Sequence, residues 1–222
     1  MCVPLLALTT MKLYIYQHCP FCCRVLMLRG LKKLDIPVSI IMEGDAETPT
    51  RMVGRKVVPI LQKKDGSFMA ESMDIVRYLD AETAPPALVA PAHTAVDDWC
   101  QRAMRPIFRL CVPRFTRADF AELSTPEARA AFVERETRAF GDLQELIDST
   151  PQLLADLQPL LDELESLVPD PGAPIGESDI LLFPLLRSLT IIAGLQTGPR
   201  TTVYFEAMRT ATGVGDFREL AQ

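Results

Sequence analysis

The stretch "YIYQHCPFCCRVLMLRG", residues Tyr14–Gly30, contains three of the chain's six cysteines within five positions. The aromatic and β-branched residues at its start predict a strand, and Pro20 is of a type favoured at the first position of a helix. Apolar residues then recur every third position from Val25 to Leu34, which predicts a helix that begins at Pro20 with Cys19 as its N-cap. The cysteines therefore lie where a strand turns into a helix.

Two cysteines separated by two residues at such a junction are the arrangement that a thiol–disulfide catalyst requires. Cys19 would lie at the positive end of the helix dipole, near amide N–H groups that stabilise a thiolate and lower its pKa. Cys22 would face inward on the first helical turn. We therefore expect Cys19 to be the attacking sulfur and Cys22 the resolving one. The neighbouring Cys23 is interpreted as a core residue, with an additional oxidisable thiol as the alternative.

The composition disfavours several other classes of protein. A chain of 222 residues with 48% hydrophobic residues can bury a core without disulfides, and its length fits two small domains. A net charge of −6 disfavours nucleic-acid binding. The apolar segments lack the features of an export signal or a membrane span, so no membrane association is expected. Six unevenly spread cysteines suit a reducing cytoplasm, and the absence of a second Cys-x-x-Cys pair predicts no metal site.

The patterns that follow the first helix predict the rest of a four-stranded mixed sheet within residues 11–82. The segment "IPVSIIM" reads as a second strand, and a short helix is expected to end at Gly54. Asp65-Gly66 is a strong hairpin-turn dipeptide between the third and fourth strands, which would be antiparallel. Ser72 is predicted to cap a helix over "MDIVRYLDAE".

Beyond the sheet, the sequence predicts helices alone. Residues 1–10 form an N-terminal extension with no predicted function, residues 83–95 are a Pro- and Ala-rich linker, and residues 96–222 form an all-helical domain. The long helices of that domain are predicted at Asp97 to about Phe108, Thr125 to about Ile147, Leu153 to Leu167, and in the apolar segment after Gly176. The last of these is apolar on nearly all sides, so we expect it at the centre of the domain.

Four blocks of the sequence resemble one known family in the same order and spacing. These blocks are "CPFC" after "KLYIY", then "TRMVGRKVVPIL", "ESMDIVRYLD" and "LFPLLRSLT". They are similar to the glutaredoxin 2 family, bacterial glutaredoxins built like glutathione transferases. The resemblance implies a thioredoxin-like N-terminal domain, an all-α C-terminal domain, and the reduction of protein disulfides and glutathione mixed disulfides. It further implies glutathione as co-substrate, no bound cofactor, disulfide-containing or glutathionylated proteins as partners, and a monomeric chain.

The same resemblance assigns residues to the binding of glutathione. It marks Val58-Pro59 as the dipeptide before the third strand, with a cis proline that exposes the backbone of Val58 to the cysteinyl part of glutathione. It matches Glu71 and Ser72 to the acidic and hydroxyl pair that binds the γ-glutamyl end. An ordinary N-cap beside a solvated glutamate is the alternative interpretation of that pair.

Other residues near the cysteine pair have weaker assignments. The resemblance makes Cys19 and Cys22 the redox pair, and His18 and Phe21, which flank it, would line the glutathione groove or simply pack. Lys56 would meet the glycine carboxylate of glutathione, although a lysine in a loop is more often only solvated.

Two other functional classes remain open from the sequence. A glutathione transferase would share this fold, although two cysteines argue against it and a broad apolar pocket between the domains would argue for it. A non-enzymatic protein would use the cysteines to sense oxidation or to hold an iron–sulfur cluster.

Overall fold

The computed structural model describes residues 10–222, so most of the predicted extension at residues 1–10 lies outside it. Four strands form one sheet, with the bounds β1 Lys12–Ile15, β2 Val38–Ile40, β3 Ile60–Gln62 and β4 Phe68–Met69. The strand order is β2-β1-β3-β4; β1 pairs parallel with β2 and antiparallel with β3, and β3 pairs antiparallel with β4. This is the four-stranded mixed sheet that the sequence predicted.

Three helices belong to the sheet half of the molecule, which are α1 Pro20–Leu31, α2 Glu47–Val53 and α3 Ser72–Glu82. The local signals for the first two are confirmed. Pro20 is the first residue of α1 and Cys19 is its N-cap. Gly54 ends α2 in the left-handed conformation, with φ of 79°, which glycine adopts without a steric cost.

The start of α3 differs from the prediction. Ser72 is the first residue of the helix, Glu71 occupies the N-cap position, and no side chain caps this end. The Ser72 hydroxyl instead accepts a hydrogen bond from Nη1 of Arg24 at 3.3 Å. The prediction of Ser72 as an N-cap is therefore wrong, because a partner on another helix binds the hydroxyl that would have served the backbone.

The second half of the chain is helical, as predicted. Its helices are α4 Thr94–Phe115, α5 Pro126–Phe140, α6 Leu143–Asp148, α7 Thr150–Leu167, α8 Glu177–Leu189 and α9 Pro199–Thr212. Two short 3₁₀ turns cover Ala121–Leu123 and Arg218–Leu220. Eleven of the thirteen residues of α8 are buried, so this helix is central to the domain. Within residues 10–222, no helix combines the length and the apolar composition needed to cross a membrane.

Two of the predicted C-terminal helix ends are wrong, and the predicted starts at Asp97 and Leu153 are each three residues late, since α4 begins at Thr94 and α7 at Thr150. The predicted end of α4 near Phe108 is seven residues short, because the helix continues through Pro106 and Pro113 to Phe115. A proline inside a helix costs about 3 kcal/mol, and here the buried segment from Leu110 to Phe115 packs into the helical core and offsets that cost.

The predicted helix from Thr125 to about Ile147 is in fact two helices. Thr125 does cap α5, since its side chain accepts a hydrogen bond from the N–H of Ala128. The chain then turns at Gly141, with φ of 85°, and Asp142 caps a new helix, α6. The glycine and the capping residue together outweigh the continuous helical pattern.

The two halves pack together along α1. This helix contacts α3 of the sheet half and both α8 and α9 of the helical half. A Cβ atom on Gly30 would lie 1.7 Å from the carbonyl oxygen of Thr212, so only glycine permits this approach of α1 to α9. This packing holds α1, which carries Cys22 and Cys23, against the helical half.

Candidate active site

The cysteine pair lies at the junction of β1 and α1. Cys19 is 8% exposed, whereas Cys22 is fully buried and its sulfur accepts a hydrogen bond from the backbone N–H of Tyr16 at 3.4 Å. The first turn of α1 contains no acidic residue, and no side chain caps it. The N-terminal amides of the helix are therefore left for the Cys19 sulfur.

Their surroundings shift the pKa values of the two thiols in opposite directions. A hydrogen bond from the Cys22 thiol lowers the pKa of Cys19 to about 7; burial opposes this, while the charge of His18 and the backbone N–H groups of Cys22 and Phe21 add to it. Burial raises the pKa of Cys22 well above its ordinary value, and so does its bond to Cys19. The thiolate of the pair therefore resides on Cys19.

The adjacent Cys23 differs from both. It is fully buried, and burial raises the pKa of its thiol to about 11. A protonated, inaccessible thiol is unreactive, which supports its interpretation as a core residue.

His18 is held by a residue from the helical half. Its Nδ1 lies 2.7 Å from Oε1 of Glu122, and its backbone N–H donates to the same oxygen at 3.0 Å. Glu122 is fully buried on the 3₁₀ turn that follows α4. The imidazole also stacks on Tyr16, at 5.7 Å between ring centroids, and lies 4.7 Å from the ring of Phe132.

The residue before His18 is tied to the same half of the molecule. The side chain of Gln17 accepts a hydrogen bond from the backbone N–H of Ala121 at 2.8 Å. The backbone carbonyl oxygen of Gln17 accepts a hydrogen bond from Nη1 of Arg187, on α8, at 3.1 Å. The loop before the cysteines is therefore bound to two elements of the helical half, the 3₁₀ turn after α4 and helix α8.

A cavity of about 300 Å³ opens beside Cys19, between the sheet half and the helical half. Aromatic rings form much of its wall, and the residues that line it are Tyr16, His18, Cys19, Pro20, Phe21, Lys56, Val57, Val58, Phe108, Val112, Phe115, Phe132, Arg135, Glu136 and Phe140. Three residues that the resemblance assigned to glutathione, His18, Phe21 and Val58, thus lie with Cys19 in one cavity. Its volume is at the lower end of the range for small-molecule sites.

The peptide bond between Val58 and Pro59 is cis, as the resemblance implied. A second cis bond, between Ala84 and Pro85, was not predicted. Val58 lines the cavity, whereas Pro59 is buried directly before β3.

The pair Glu71 and Ser72 lies at the start of α3, apart from the residues that line the cavity in the described part of the chain. Glu71 is exposed and forms an ion pair with Arg55. Ser72 is buried beside Arg24, whose Nε is also buried and has no hydrogen-bond partner within residues 10–222. An acidic group, a hydroxyl and an unsatisfied guanidinium N–H therefore meet at one helix N-terminus.

Lys56 and Arg135 place two cations on the cavity wall. Nζ of Lys56 lies 3.1 Å from Oε2 of the buried Glu43, and Nη1 of Arg135 lies 2.7 Å from the other oxygen of that carboxylate. Arg135 also donates to Glu136 at 2.7 Å. Lys56 is therefore not simply solvated; it belongs to an ion-pair network that joins the two halves.

The sequence did not point to Glu122, Arg135, Arg187 or Arg24. Glu122 lies in a short turn 104 residues from its partner His18, and Arg187 lies 170 residues from Gln17. No local motif relates residues at such separations, so only the packed structure brings them together.

These features define a thioredoxin-like protein with the two-part architecture of glutathione transferases. The chain matches the family described as "Glutaredoxin 2, C terminal domain" over residues 95–221 and "Glutathione S-transferase, N-terminal domain" over residues 13–87. It is 40% identical to glutaredoxin 2 of Escherichia coli strain K12 over 214 residues, which cover 95% of this chain and 100% of that protein.

Solved structures give the same result. The fold is similar to that of glutaredoxin 2 from Salmonella typhimurium in complex with glutathione, with a TM-score of 0.92, 35% identity, and coverage of 96% of this chain and 100% of that one. A glutathione S-transferase of Ceriporiopsis subvermispora, with a TM-score of 0.73, 15% identity, and coverage of 93% and 99%, shares the fold.

The chain belongs to the glutaredoxin 2 family, and it is a glutathione-dependent thiol–disulfide oxidoreductase. The predictions of family, fold class and enzyme class are thereby confirmed.

Proposed function

We propose that Cys19 is the nucleophile and Cys22 the resolving thiol of this oxidoreductase. The observation that carries the proposal is that, at the N-terminus of α1, the pKa of the Cys19 thiol is lowered whereas that of the Cys22 thiol is raised. With a glutathionylated protein, the Cys19 thiolate attacks the glutathione sulfur, a Cys19–glutathione disulfide forms, and the protein leaves as a thiolate. The thiolate of a second glutathione then attacks that disulfide, which yields oxidised glutathione and restores the Cys19 thiolate.

A protein disulfide needs both cysteines. Cys19 attacks one sulfur, forms a mixed disulfide with the substrate and releases the other substrate sulfur as a thiolate. Cys22 loses its proton and attacks Cys19, which releases the second substrate thiol and leaves a Cys19–Cys22 disulfide. Two molecules of glutathione reduce that disulfide and are themselves oxidised.

Glutathione is proposed to bind beside Cys19 through three groups. The exposed backbone of Val58 would pair with its cysteinyl part, and Glu71 and Ser72 would bind its γ-glutamyl ammonium and carboxylate. The unsatisfied Nε–H of Arg24, close to Ser72, adds a donor for that carboxylate. The Salmonella relative was solved in complex with glutathione, which supports the binding of glutathione.

The proposal is tested by a coupled assay with glutathione, glutathione reductase, NADPH and a small mixed disulfide. We expect the purified chain to support steady oxidation of NADPH that depends on both the disulfide and glutathione. A chain that shows no turnover above the uncatalysed rate would contradict the proposal.

Glutathione conjugation is a second candidate activity, because the apolar cavity beside Cys19 is the feature expected of a transferase. Five phenylalanine rings contribute to its wall, which suits an aromatic electrophile. An assay with glutathione and an aromatic electrophile tests this activity. Conjugation that survives in a Cys19→Ser variant would show that it does not use the thiolate.

The domain boundaries predicted from the sequence, 11–82 and 96–222 with a linker at 83–95, are also part of the proposal. The end of α3 at Glu82 and the start of α4 at Thr94 support them. The monomeric state and the cytoplasmic location stay predictions, which gel filtration and cell fractionation would test.

A further inference from the structure

The buried pair formed by His18 and Glu122 has a fixed chemical arrangement. A carboxylate oxygen can only accept hydrogen bonds, so Oε1 of Glu122 must receive protons from both the backbone N–H and Nδ1–H of His18. The second oxygen, Oε2, is buried and has no partner within residues 10–222. The imidazole is thus the main group that compensates this carboxylate, and its Nδ1 carries the proton.

The charge on Glu122 is maintained despite its burial. Burial works against the charged form, but the hydrogen bonds and charge of His18 prevail and hold the pKa of Glu122 below its ordinary value. The Glu122 carboxylate lies 2.7 Å from Nδ1 of His18, so it is a close negative partner for a positive charge on that ring. His18 directly precedes Cys19, and a positive charge there favours the thiolate.

We infer that Glu122 is a positioning residue for thiol exchange: its carboxylate, supplied by the helical half, holds the His18 ring with Nδ1–H toward itself, pairs with the charge of that ring, and through it stabilises the Cys19 thiolate. The inference rests on the proposed role of Cys19 as nucleophile. It gives the helical half a part in the chemistry besides that of a packing partner.

Other ionisable groups surround the pair and remain in place in the test. They are Cys19 and Cys22 on α1, Tyr16 after β1, Glu43 after β2, Arg135 on α5 and Arg187 on α8. The backbone N–H of Glu43 donates to the carbonyl oxygen of Glu122 at 3.0 Å, so a change in the Glu122 side chain leaves this contact intact.

The test is a pH titration of the Cys19 thiolate in the reduced full chain, by its ultraviolet absorbance and by the rate of alkylation with iodoacetamide. Glu122→Gln removes the charge and keeps an oxygen that can accept both hydrogen bonds. We expect the midpoint of the titration to rise by about one pH unit, so that alkylation below the midpoint slows about tenfold.

A double-mutant cycle shows whether Glu122 acts through the imidazole. In a His18→Asn background the side chain keeps a donor near the position of Nδ1 but has no charge. There, Glu122→Gln should leave the midpoint unchanged or lower it, because it removes a negative charge that no longer has a positive partner.

Glu165→Gln is the matched control. The Glu165 carboxylate also accepts hydrogen bonds from two backbone N–H groups, those of Arg200 and Thr201, but it lies near the end of α7 and contacts neither His18 nor Cys19 by any hydrogen bond within residues 10–222. This variant should leave the midpoint unchanged.

Several outcomes would overturn the inference. One is that Glu122→Gln lowers the melting temperature but leaves the midpoint of the Cys19 titration unchanged. Another is that Glu122→Gln raises this midpoint equally in the wild-type and the His18→Asn backgrounds. If Glu122→Gln does not fold, His18→Asn alone decides, and an unaltered midpoint in that variant refutes the inference. A titration that persists in Cys19→Ser would instead show that the proposed nucleophile is wrong, which is a different failure.

Discussion

Helices α1 and α8 both lack a cap hydrogen bond from the side chain of the N-cap residue, which is Cys19 in α1 and glycine, Gly176, in α8, yet their N-termini differ in what lies beside them. At α8 the carboxylate of Asp179, inside the first turn, accepts a hydrogen bond from the backbone N–H of Gly176 at 2.8 Å, and Glu177 adds a second negative charge. At α1 the first turn has no acidic residue, and the N-cap residue is Cys19. Carboxylates of the chain itself thus lie at the N-terminus of α8, whereas the N-terminal N–H groups of α1 face the sulfur of Cys19.

The contrast shows how the same physical property supports either stability or reactivity. Negative groups near a helix N-terminus are stabilising because they face unpaired N–H groups and the positive end of the dipole. An Asp179-like side chain in α1 would gain that stability but would compete with the thiolate for the same donors. The start of α3 differs from both: no side chain caps it, as in α1, but Asp74 adds a negative charge to its first turn, as Glu177 and Asp179 do in α8.

The largest effect is expected at the reactive end of α1. Cys19→Ser should abolish both deglutathionylation and disulfide reduction, because a serine hydroxyl is not ionised at neutral pH and cannot replace the thiolate. The coupled NADPH assay measures both reactions. Cys100→Ser, a buried cysteine on α4, is the matched control and should retain activity. Residual turnover in Cys19→Ser would contradict the contrast drawn between α1 and α8, because some group other than the sulfur at the start of α1 would then be the nucleophile.

Replacement of the second cysteine should separate the two reactions. In Cys22→Ser a second glutathione can still release the Cys19–glutathione disulfide, so deglutathionylation should persist. Reduction of a protein disulfide should fall by about tenfold or more, because no thiol lies close enough to resolve the covalent intermediate. Cys23→Ser is the control for the adjacent thiol and should affect neither reaction. A Cys22→Ser protein that is inactive in deglutathionylation would refute this division of roles.

The start of α3 offers a smaller effect on ligand binding. Ser72→Ala should raise the apparent requirement for glutathione about tenfold, as expected for the loss of a buried hydrogen bond to a charged group. Glu71→Gln should raise it only about two- to fivefold, because its side chain is 61% exposed and solvent weakens its interactions. Asp74→Asn, in the same turn and equally exposed, is the control. A glutathione dependence that is identical in all these variants would show that the γ-glutamyl end binds elsewhere.

The expected effect at α8 is on stability alone. Asp179 accepts hydrogen bonds from the Gly176 N–H and from the Tyr204 hydroxyl, so Asp179→Ala should lower the free energy of unfolding by about 1.5–3 kcal/mol. Urea denaturation measures that loss. The titration midpoint of Cys19 should not change, and a shift in it would mean that the two helix ends are not independent.

Local sequence signals predicted the parts of the fold that depend on neighbouring residues. Pro20 marked the start of α1, Gly54 marked the end of α2, and Asp65-Gly66 marked the hairpin between β3 and β4. In each case the residue type itself favours the backbone conformation that the structure adopts. The prediction that Ser72 is an N-cap failed because Arg24, which lies 48 residues away, binds its hydroxyl.

In the candidate active site, too, the sequence predicted local features but not contacts between distant residues. The cysteine spacing alone indicated the redox pair, and the family resemblance supplied the cis bond at Val58-Pro59, which was then found. Nothing near Glu122 in the sequence relates it to His18, because their contact depends on how the 3₁₀ turn after α4 packs against the loop before α1. Contacts of this kind are set by tertiary packing and have no local pattern.

The ties between the cysteine loop and the helical half bear on how the protein is made. Four hydrogen bonds join Gln17 and His18 to residues 121, 122 and 187, which the ribosome adds more than 100 positions later. At a synthesis rate of about 5–20 residues per second, Arg187 is added roughly 10–30 s after Cys19. During that interval Gln17 and His18 lack their hydrogen-bond partners in the helical half. If Glu122 acts as inferred, the Cys19 thiolate gains the stabilisation that comes through His18 only after the helical half has been added.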